Sequence, residues 1–178
     1  YIYNSSIMFN ESNSDGGGIC ADSYSRLAIL SSKIIYNTAN GHGGGIESSA
    51  YLKIINSKIN FNHGAQGGGL WSSHRSAIYD TEFIGNNGSG NGGGIYASGG
   101  TESNLPDSLI NCNISENIAN GDGGGCYLYD YRTFYIKNTL ISSNQAGTNN
   151  NTNYGGGIYS YINQSTNRDP MIINCTIT

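Results

Sequence analysis

Gly triplets recur along the chain at 16–18, 43–45, 67–69, 92–94, 123–125 and 155–157, spaced by 27, 24, 25, 31 and 32 residues. A fixed period of this length marks a repeat architecture in which each unit is one supersecondary element stacked on the next. A second signal runs in step with the first. An apolar residue stands three positions before an Asn in each copy: Ile7/Asn10, Ile34/Asn37, Ile59/Asn62, Phe83/Asn86, Ile114/Asn117 and Ile141/Asn144. Eight positions before each Asn lies a further apolar residue: Ile2, Ile29, Ile54, Ile78, Leu109 and Ile136. The chain closes on a partial seventh copy, with Ile172, Asn174, Cys175 and Ile177 in the places of Ile2, Asn4, Ser5 and Ile7.

Within a copy the pattern is short strands of period two, as in Ile54 to Ile59, broken by Gly and Asn turns, with no helical stripe. A unit of this size cannot bury its own apolar face. Stacking equivalent strands ~4.8 Å apart buries that face and pairs the backbone of each coil with its neighbours. The fold expected is therefore all-β, a parallel β-helix of about six coils, right-handed because crossovers between parallel strands take that hand. Composition agrees with a thin core: 27 of 178 residues are Gly, 35 are Leu, Ile or Phe, and there is no Val. The triplets are expected where positive φ or close approach of coils excludes a Cβ. Asn at the other corner is expected in left-handed geometry, bonded along a side-chain ladder. Residues 98–108 and 146–154 vary in length between copies and read as projecting loops. The chain reads as one β-helix domain over 1–178, a segment of a longer repeat protein, since it opens on Tyr1 without a leader and ends mid-repeat.

These motifs resemble those of the chlamydial polymorphic outer-membrane proteins and related surface proteins of some bacteria and protists, which carry tandem Gly-Gly-Ala-Ile and Phe-x-x-Asn repeats. Here Gly-Gly-Gly-Ile stands at Gly16–Ile19, Gly43–Ile46, Gly92–Ile95 and Gly155–Ile158, with Leu70 and Cys126 replacing Ile in the other two copies; Phe83 to Asn86 is joined by five Ile-x-x-Asn variants. The resemblance implies a secreted right-handed β-helix working in adhesion or surface architecture, extracellular or at the cell surface. It supplies no catalytic residue.

Several functions are disfavoured by composition. With 8 Lys and Arg against 12 Asp and Glu, net charge -4, there is no basic surface to neutralise phosphates, so no nucleic-acid partner is expected. No apolar run approaches the ~18 residues of a membrane helix. No cofactor or metal site is expected: there is no Cys-x-x-Cys, and His42, His63 and His74 fall in different turns.

Candidate surfaces follow from aligning the copies. Two residues past each triplet stand Cys20, Glu47, Trp71, Tyr96, Tyr127 and Tyr159, expected to point outward because the preceding residue points inward. Tyr129 and Tyr161 widen this exposed row, as does Tyr131. It either binds a sugar or protein partner or is a stacked ladder that stiffens the sheet. A second outward row, Tyr3, Leu30, Ile55, Tyr79, Ile110, Lys137 and Ile173, is apolar at all but one position. Either a neighbouring chain covers Leu30, Ile55, Tyr79, Ile110 and Ile173, in lateral packing of copies of the chain, or the phase is off by one residue.

Cys112 and Cys175 fall in a row of small residues, Ser5, Ser32, Ser57, Thr81, Cys112, Thr139 and Cys175, and read as buried thiols; Cys126 replaces an inward Ile. Cys20 is expected outward and free, or cross-linked to another chain. Asp80 and Glu82, near Lys33 and Lys58, are the nearest approach to an acid/base pair of a pectate-lyase-type enzyme, or are an exposed ion-pair row. Among Asn-x-Ser/Thr acceptors, Asn87, Asn113, Asn150 and Asn163 are expected accessible, whereas Asn4, Asn10 and Asn174 are expected protected at the corners. The reading is a non-enzymatic structural or adhesive β-helix of a surface, sheath or filament, partnered by its own copies or further repeats and by glycans. The alternative is a polysaccharide-binding or polysaccharide-cleaving β-helix.

Overall fold

A computed structural model describes residues 1–98, 106–129, 134–147, 152–161 and 170–178. All of its elements are strands, in four parallel sheets that wind as a β-solenoid. Each full coil contributes one strand to each sheet, and the last, partial coil one to each of the first two. The first sheet runs from Ile2–Tyr3 through Arg26–Leu30, Tyr51–Ile55, Ser76–Tyr79, Asp107–Ile110 and Phe134–Lys137 to Met171–Ile173. The second, also seven-stranded, runs from Ser6–Met8 to Thr176–Ile177; the third and fourth, of six strands each, start at Glu11–Ser12 and Ile19–Ala21. The register expected from the repeats is the register found: Ile29 pairs with Ile2 and Ile54, Ile78 with Ile54 and Leu109, and Ile136 with Leu109 and Ile172.

The inward ladder residues form one continuous core. Ile29, Ile54 and Leu109 from the first sheet, Ile34, Ile59, Phe83, Ile114 and Ile141 from the second, and Ile46, Leu70, Ile95 and Cys126 from the fourth are all excluded from solvent. The third sheet contributes only Ala39, Gly64, Gly88 and Ala119 to the interior. Its small residues let the opposite walls approach, which is why so few large aliphatic residues fill the cross-section.

Asn37, Asn62, Asn86 and Asn117 lie in the corner between the second and third sheets, buried and joined in a ladder. Each side-chain oxygen accepts two hydrogen bonds from the coil before it. The backbone N–H and Nδ2 of Asn62 donate to Oδ1 of Asn86 at 2.9 and 3.1 Å, and Asn86 donates likewise to Asn117 at 2.9 and 3.0 Å. Nδ2 of Asn86 also donates to the Ile59 carbonyl at 2.8 Å. The ladder is as expected, but its residues are not left-handed. Positive φ falls one residue earlier, at Phe9, Tyr36, Phe61, Gly85, Glu116 and Ser143, and at the preceding corner, at Asn4, Ser31, Asn56, Asp80, Asn111, Asn138 and Asn174. The bend is made by the residue before the Asn, which frees the Asn amide to turn inward.

The triplets fit this corner from across the coil. Gly43 has φ of 63°, and a Cβ on Gly44 would overlap the carbonyl oxygens of His63 and Gly68. A Cβ on Gly45 would come within 2.9 Å of Nδ2 of Asn62, so the third Gly makes room for the buried Asn of the next coil. The two sequence motifs are thus one packing unit. Residues 98–108 are not wholly loop, because Ile95–Ser98 and Asp107–Ile110 are strands.

Replacing Asn86 by Ala strands two donors of Asn62 in the interior, each costing about 1–3 kcal/mol when unpaired. Urea unfolding should place Asn86→Ala about 3 kcal/mol or more below the parent, against about 1 kcal/mol or less for Asn10→Ala, whose side chain is exposed. Equal losses would show that the ladder carries no special share of stability.

Candidate functional site

The row two residues past the triplets is in register as expected, Cys20 with Glu47, Glu47 with Trp71, Trp71 with Tyr96, Tyr96 with Tyr127 and Tyr127 with Tyr159. Its rings lie on one another. Centroids are 6.3 Å apart for Trp71 and Tyr96, 4.9 Å for Tyr96 and Tyr127 and 5.2 Å for Tyr127 and Tyr159. Tyr129 stacks on Tyr161 at 5.6 Å with planes 2° apart and lies 6.4 Å from Tyr127. The expectation of a fully exposed row is corrected: Tyr127 is only 8% exposed, and Trp71, Tyr96, Tyr129 and Tyr159 are half-buried. A ring that gives both faces to its neighbours shows solvent an edge. Tyr131 lies outside the described residues.

His42, expected as a solvated turn residue, extends the stack onto Trp71 at 5.0 Å, and its Nδ1 is 3.5 Å from the Asp15 carboxylate. Burial lifts the Tyr96 phenol above its ordinary range and, with Tyr96 and Tyr159 alongside, pushes Tyr127 up to about 12. Nε1 of Trp71 is buried and meets no acceptor among the described residues.

A second aromatic stack escaped the sequence reading. Phe9, Tyr36 and Phe61, one position before the ladder Asn of three successive coils, stack at 5.2 Å with planes 4° and 11° apart. They are 73%, 47% and 46% exposed and left-handed, with φ of 56–58°. Left-handed backbone costs a bulky residue roughly 1–2 kcal/mol, and ring stacking returns about 0.5–1.5 kcal/mol per pair. Phe61 finishes the stack over Gly85, where a Cβ would sit 2.6 Å from its ring. The signal was present in the alignment as an aromatic residue immediately before Asn10, Asn37 and Asn62.

The apolar row of the first sheet faces outward, so the phase is right. Leu30, Ile55, Tyr79, Ile110 and Ile173 are half-buried, while their inward neighbours Ile29, Ile54, Ile78, Leu109 and Ile136 have almost no exposure.

Asp80 and Glu82 are both engaged. Glu82 forms an exposed 3.0 Å ion pair with Lys58, in the ladder position it shares with Lys33. Asp80, at a left-handed corner, accepts from Nδ2 of Asn111 at 3.0 Å. They border an open hollow with Thr81, Asn111, Cys112 and Asn113.

The four cysteines are free thiols. Cys112 takes the hydroxyl's part in its row: Sγ donates to the Ile110 carbonyl at 3.4 Å, as the Ser32 hydroxyl does to Leu30 at 2.7 Å. Cys20 is exposed and donates to the Glu47 carboxylate at 3.1 Å. That bond, with burial and the Glu47 charge, pushes its pKa up to about 11. Burial, with the Asp80 charge adding to it against hydrogen bonds that lower it, does the same for Cys112, also to about 11, and burial with Cys112 alongside drives Cys126 higher still.

Of the acceptor asparagines, Asn87 is exposed and Asn113 half-buried, with Oδ1 enclosed and unpaired among the described residues. Asn150 and Asn163 lie outside the described residues. Asn4 and Asn174, expected to be protected, are exposed, because the left-handed bend at their corner turns the side chain to solvent. Asn10 is exposed too, although its amide bonds Asn37 at 2.9 Å.

A model of the Chlamydia polymorphic membrane protein repeat matches residues 80–98. These span the Phe83–Asn86 motif and the Gly92–Gly94 triplet, so the repeat type inferred from the motifs is matched within one coil. The matched family is one of surface membrane proteins and not of enzymes. Neither the curated proteins nor the solved structures include a match. No helix among the described residues is long and apolar enough to cross a membrane.

The raised thiol values set a pH dependence. Stability is complete below the unfolded thiol pKa of about 8.5 and falls as pH rises toward the folded values, because unfolding then releases protons. Equilibrium unfolding should therefore weaken between pH 8.5 and 10, and Cys112→Ser with Cys126→Ser should flatten that slope. Cys112→Ser by itself should stay within about 1 kcal/mol of the parent, since Ser and Thr occupy the same row. A slope unchanged in the double variant would remove Cys112 and Cys126 as its cause.

Proposed function

We propose that the chain is a repeat segment of a cell-surface protein, a non-enzymatic β-solenoid that serves as structural or adhesive material outside the cell. The observation that carries this reading is the engagement of the polar side chains that chemistry would need. Glu82 is held by Lys58, Asp80 accepts from Asn111, and the Cys20 thiol is kept protonated by Glu47. What remains variable is the outward rows, which differ from coil to coil while the corners and interior repeat. A regular rod with changing outward rows suits display and contact. The match over residues 80–98 to a membrane-protein repeat supports the surface location.

Antibodies raised against the chain should label intact, unpermeabilised source cells, and brief external proteolysis should abolish the label. Labelling confined to permeabilised cells would overturn the surface reading. Incubated with a panel of pectate, β-glucan, chitin and xylan, the purified chain should release no reducing ends. Release that disappears in Asp80→Asn and Glu82→Gln would establish the polysaccharide-cleaving alternative. The glycan-binding alternative rests on Trp71, Tyr96, Tyr127, Tyr129, Tyr159 and Tyr161, and a glycan array whose hits vanish in Trp71→Ala would support it.

A further inference from the structure

The rings of the fourth sheet form an unbroken path along the rod. From Trp71 it runs through Tyr96 to Tyr127 and there branches. One arm passes by Tyr159 to Tyr154 and the other by Tyr129 to Tyr161, with every contact between 4.9 and 6.4 Å from centroid to centroid. The path covers three strand spacings, ~14 Å along the rod. Its arms end on exposed rings, Tyr154 at 56% and Tyr161 at 42%, whereas Tyr127 at the branch is 8% exposed. Stiffness alone would not select these residues. Phe stacks as well and buries no hydroxyl, and the corner stack uses it at Phe9 and Phe61. Of the chain's four Phe none lies on this path; every ring after Trp71 is a phenol, and Trp71 is the single Trp.

We infer that this path is a one-electron relay, in which an oxidising equivalent taken up at Trp71 leaves the solenoid as a phenoxyl radical at Tyr154 or Tyr161. A one-electron oxidant removes an electron from the Trp71 indole and leaves a radical cation. Two carboxylates favour positive charge there: Glu47, paired with Trp71 in register and 7% exposed, and Asp15, which meets the stack through His42. Nε1 of Trp71 is enclosed and meets no acceptor among the described residues, so the cation keeps its proton and remains a stronger oxidant than a phenoxyl radical. Tyr96 supplies the electron that restores the indole, and Tyr127 and the arm beyond it supply the next in turn. A phenol that has given up an electron settles as a radical only by releasing its proton. Burial holds that proton on Tyr96 and Tyr127, whose pKa values lie above the ordinary phenol range, so the radical does not come to rest in the middle of the stack. At the exposed ends water accepts the proton. The net step converts the Trp71 radical cation, a terminal phenol and one water into neutral indole, a phenoxyl radical and a hydronium ion. A small soluble thiol then gives a hydrogen atom to the phenoxyl and leaves as a thiyl radical, which returns the relay to its starting state.

Each phenol has its own part. Tyr96 is the first donor to Trp71 and Tyr127 is the branch through which both exits are reached. Removing either hydroxyl leaves a ring that still stacks but that the indole cation does not oxidise, so conduction is interrupted while the solenoid keeps its shape. The inference concerns the stack itself and is independent of where the protein resides.

Azide radicals made by pulse radiolysis oxidise Trp ahead of Tyr near neutral pH, and in the full chain, with its single Trp, they start the reaction at Trp71. The indole-radical absorption should decay as the phenoxyl absorption grows, in a first-order phase whose rate does not depend on protein concentration. Tyr96→Phe should abolish that phase while circular dichroism stays unchanged. A nitroso spin trap followed by peptide mass mapping should place adducts on Tyr154 and Tyr161 in the parent, and Tyr127→Phe should remove them, a reading independent of how Tyr96→Phe folds. Tyr1→Phe with Tyr24→Phe, exposed and off the path, should change neither result. A first-order phase that survives Tyr96→Phe would overturn the inference, as would a transfer rate in the parent proportional to protein concentration, or adducts that remain on Tyr154 and Tyr161 in Tyr127→Phe.

Discussion

A single amide oxygen in each coil receives both the backbone N–H and the side-chain Nδ2 of the coil before it, and the rest of the solenoid is arranged around that bond. Asn62 illustrates the geometry. Its Nδ2 reaches back to the Ile34 carbonyl at 2.9 Å while its N–H and Nδ2 both reach forward to Asn86. One side chain therefore joins three coils. A buried amide can do this only if every hydrogen-bonding group finds a partner, because an unpaired one would cost more than the ladder returns. The corner must accordingly be tight, dry and the same in every copy. The left-handed residue before the Asn sets the angle, and the third Gly of the triplet leaves space for the amide. A side chain at Gly45 or Gly69 would push against Asn62 or Asn86, so the Gly motif and the Asn motif must be kept together.

The same constraint explains the thin core. With the third sheet reduced to Ala and Gly on its inner side, the coil closes around little more than three inward residues, drawn from Ile, Leu, Phe and one Cys. Burial per residue is modest, and the cooperative ladders of Asn, of Ser, Thr and Cys hydroxyls and thiols, and of stacked rings make up the difference. Cys112 and Cys175 show that the second of these tolerates sulfur for oxygen, since both donate to the carbonyl two residues earlier, at 3.4 and 3.3 Å, as Ser32 does.

Periodicity made the sheets, the register and the in/out phase legible, because a one-residue slip would have turned Ile29, Ile54 and Ile136 outward. Backbone dihedrals were less legible. Asn is a familiar left-handed residue, and propensity places the bend on Asn37 or Asn62, whereas Tyr36 and Phe61 take it. Burial of the amide outweighs the strain on the aromatic residue beside it, and propensity alone does not reveal which term is larger. Exposure is not legible in alternation where neighbours cover one another. Tyr127 points outward yet is buried between Tyr96 and Tyr159, and Asn4 and Asn174 share a corner ladder yet face solvent. Alternation along a strand assigns a side, but it does not measure how much of that side adjacent coils occupy.

Stacking also limits what the outward rows can offer. Rings stacked along the rod axis at 5 to 6 Å spend their faces on one another, so a sugar seeking a flat aromatic face finds it only where a stack ends. Stacks of this kind stiffen the rod more readily than they bind a planar ligand. The first sheet is different. Its outward residues are aliphatic at Leu30, Ile55 and Ile110, gain nothing from stacking on their register partners beyond ordinary contact, and leave apolar surface unspent. A row of Thr, Lys or Glu would serve the solenoid equally well there and keep it solvated.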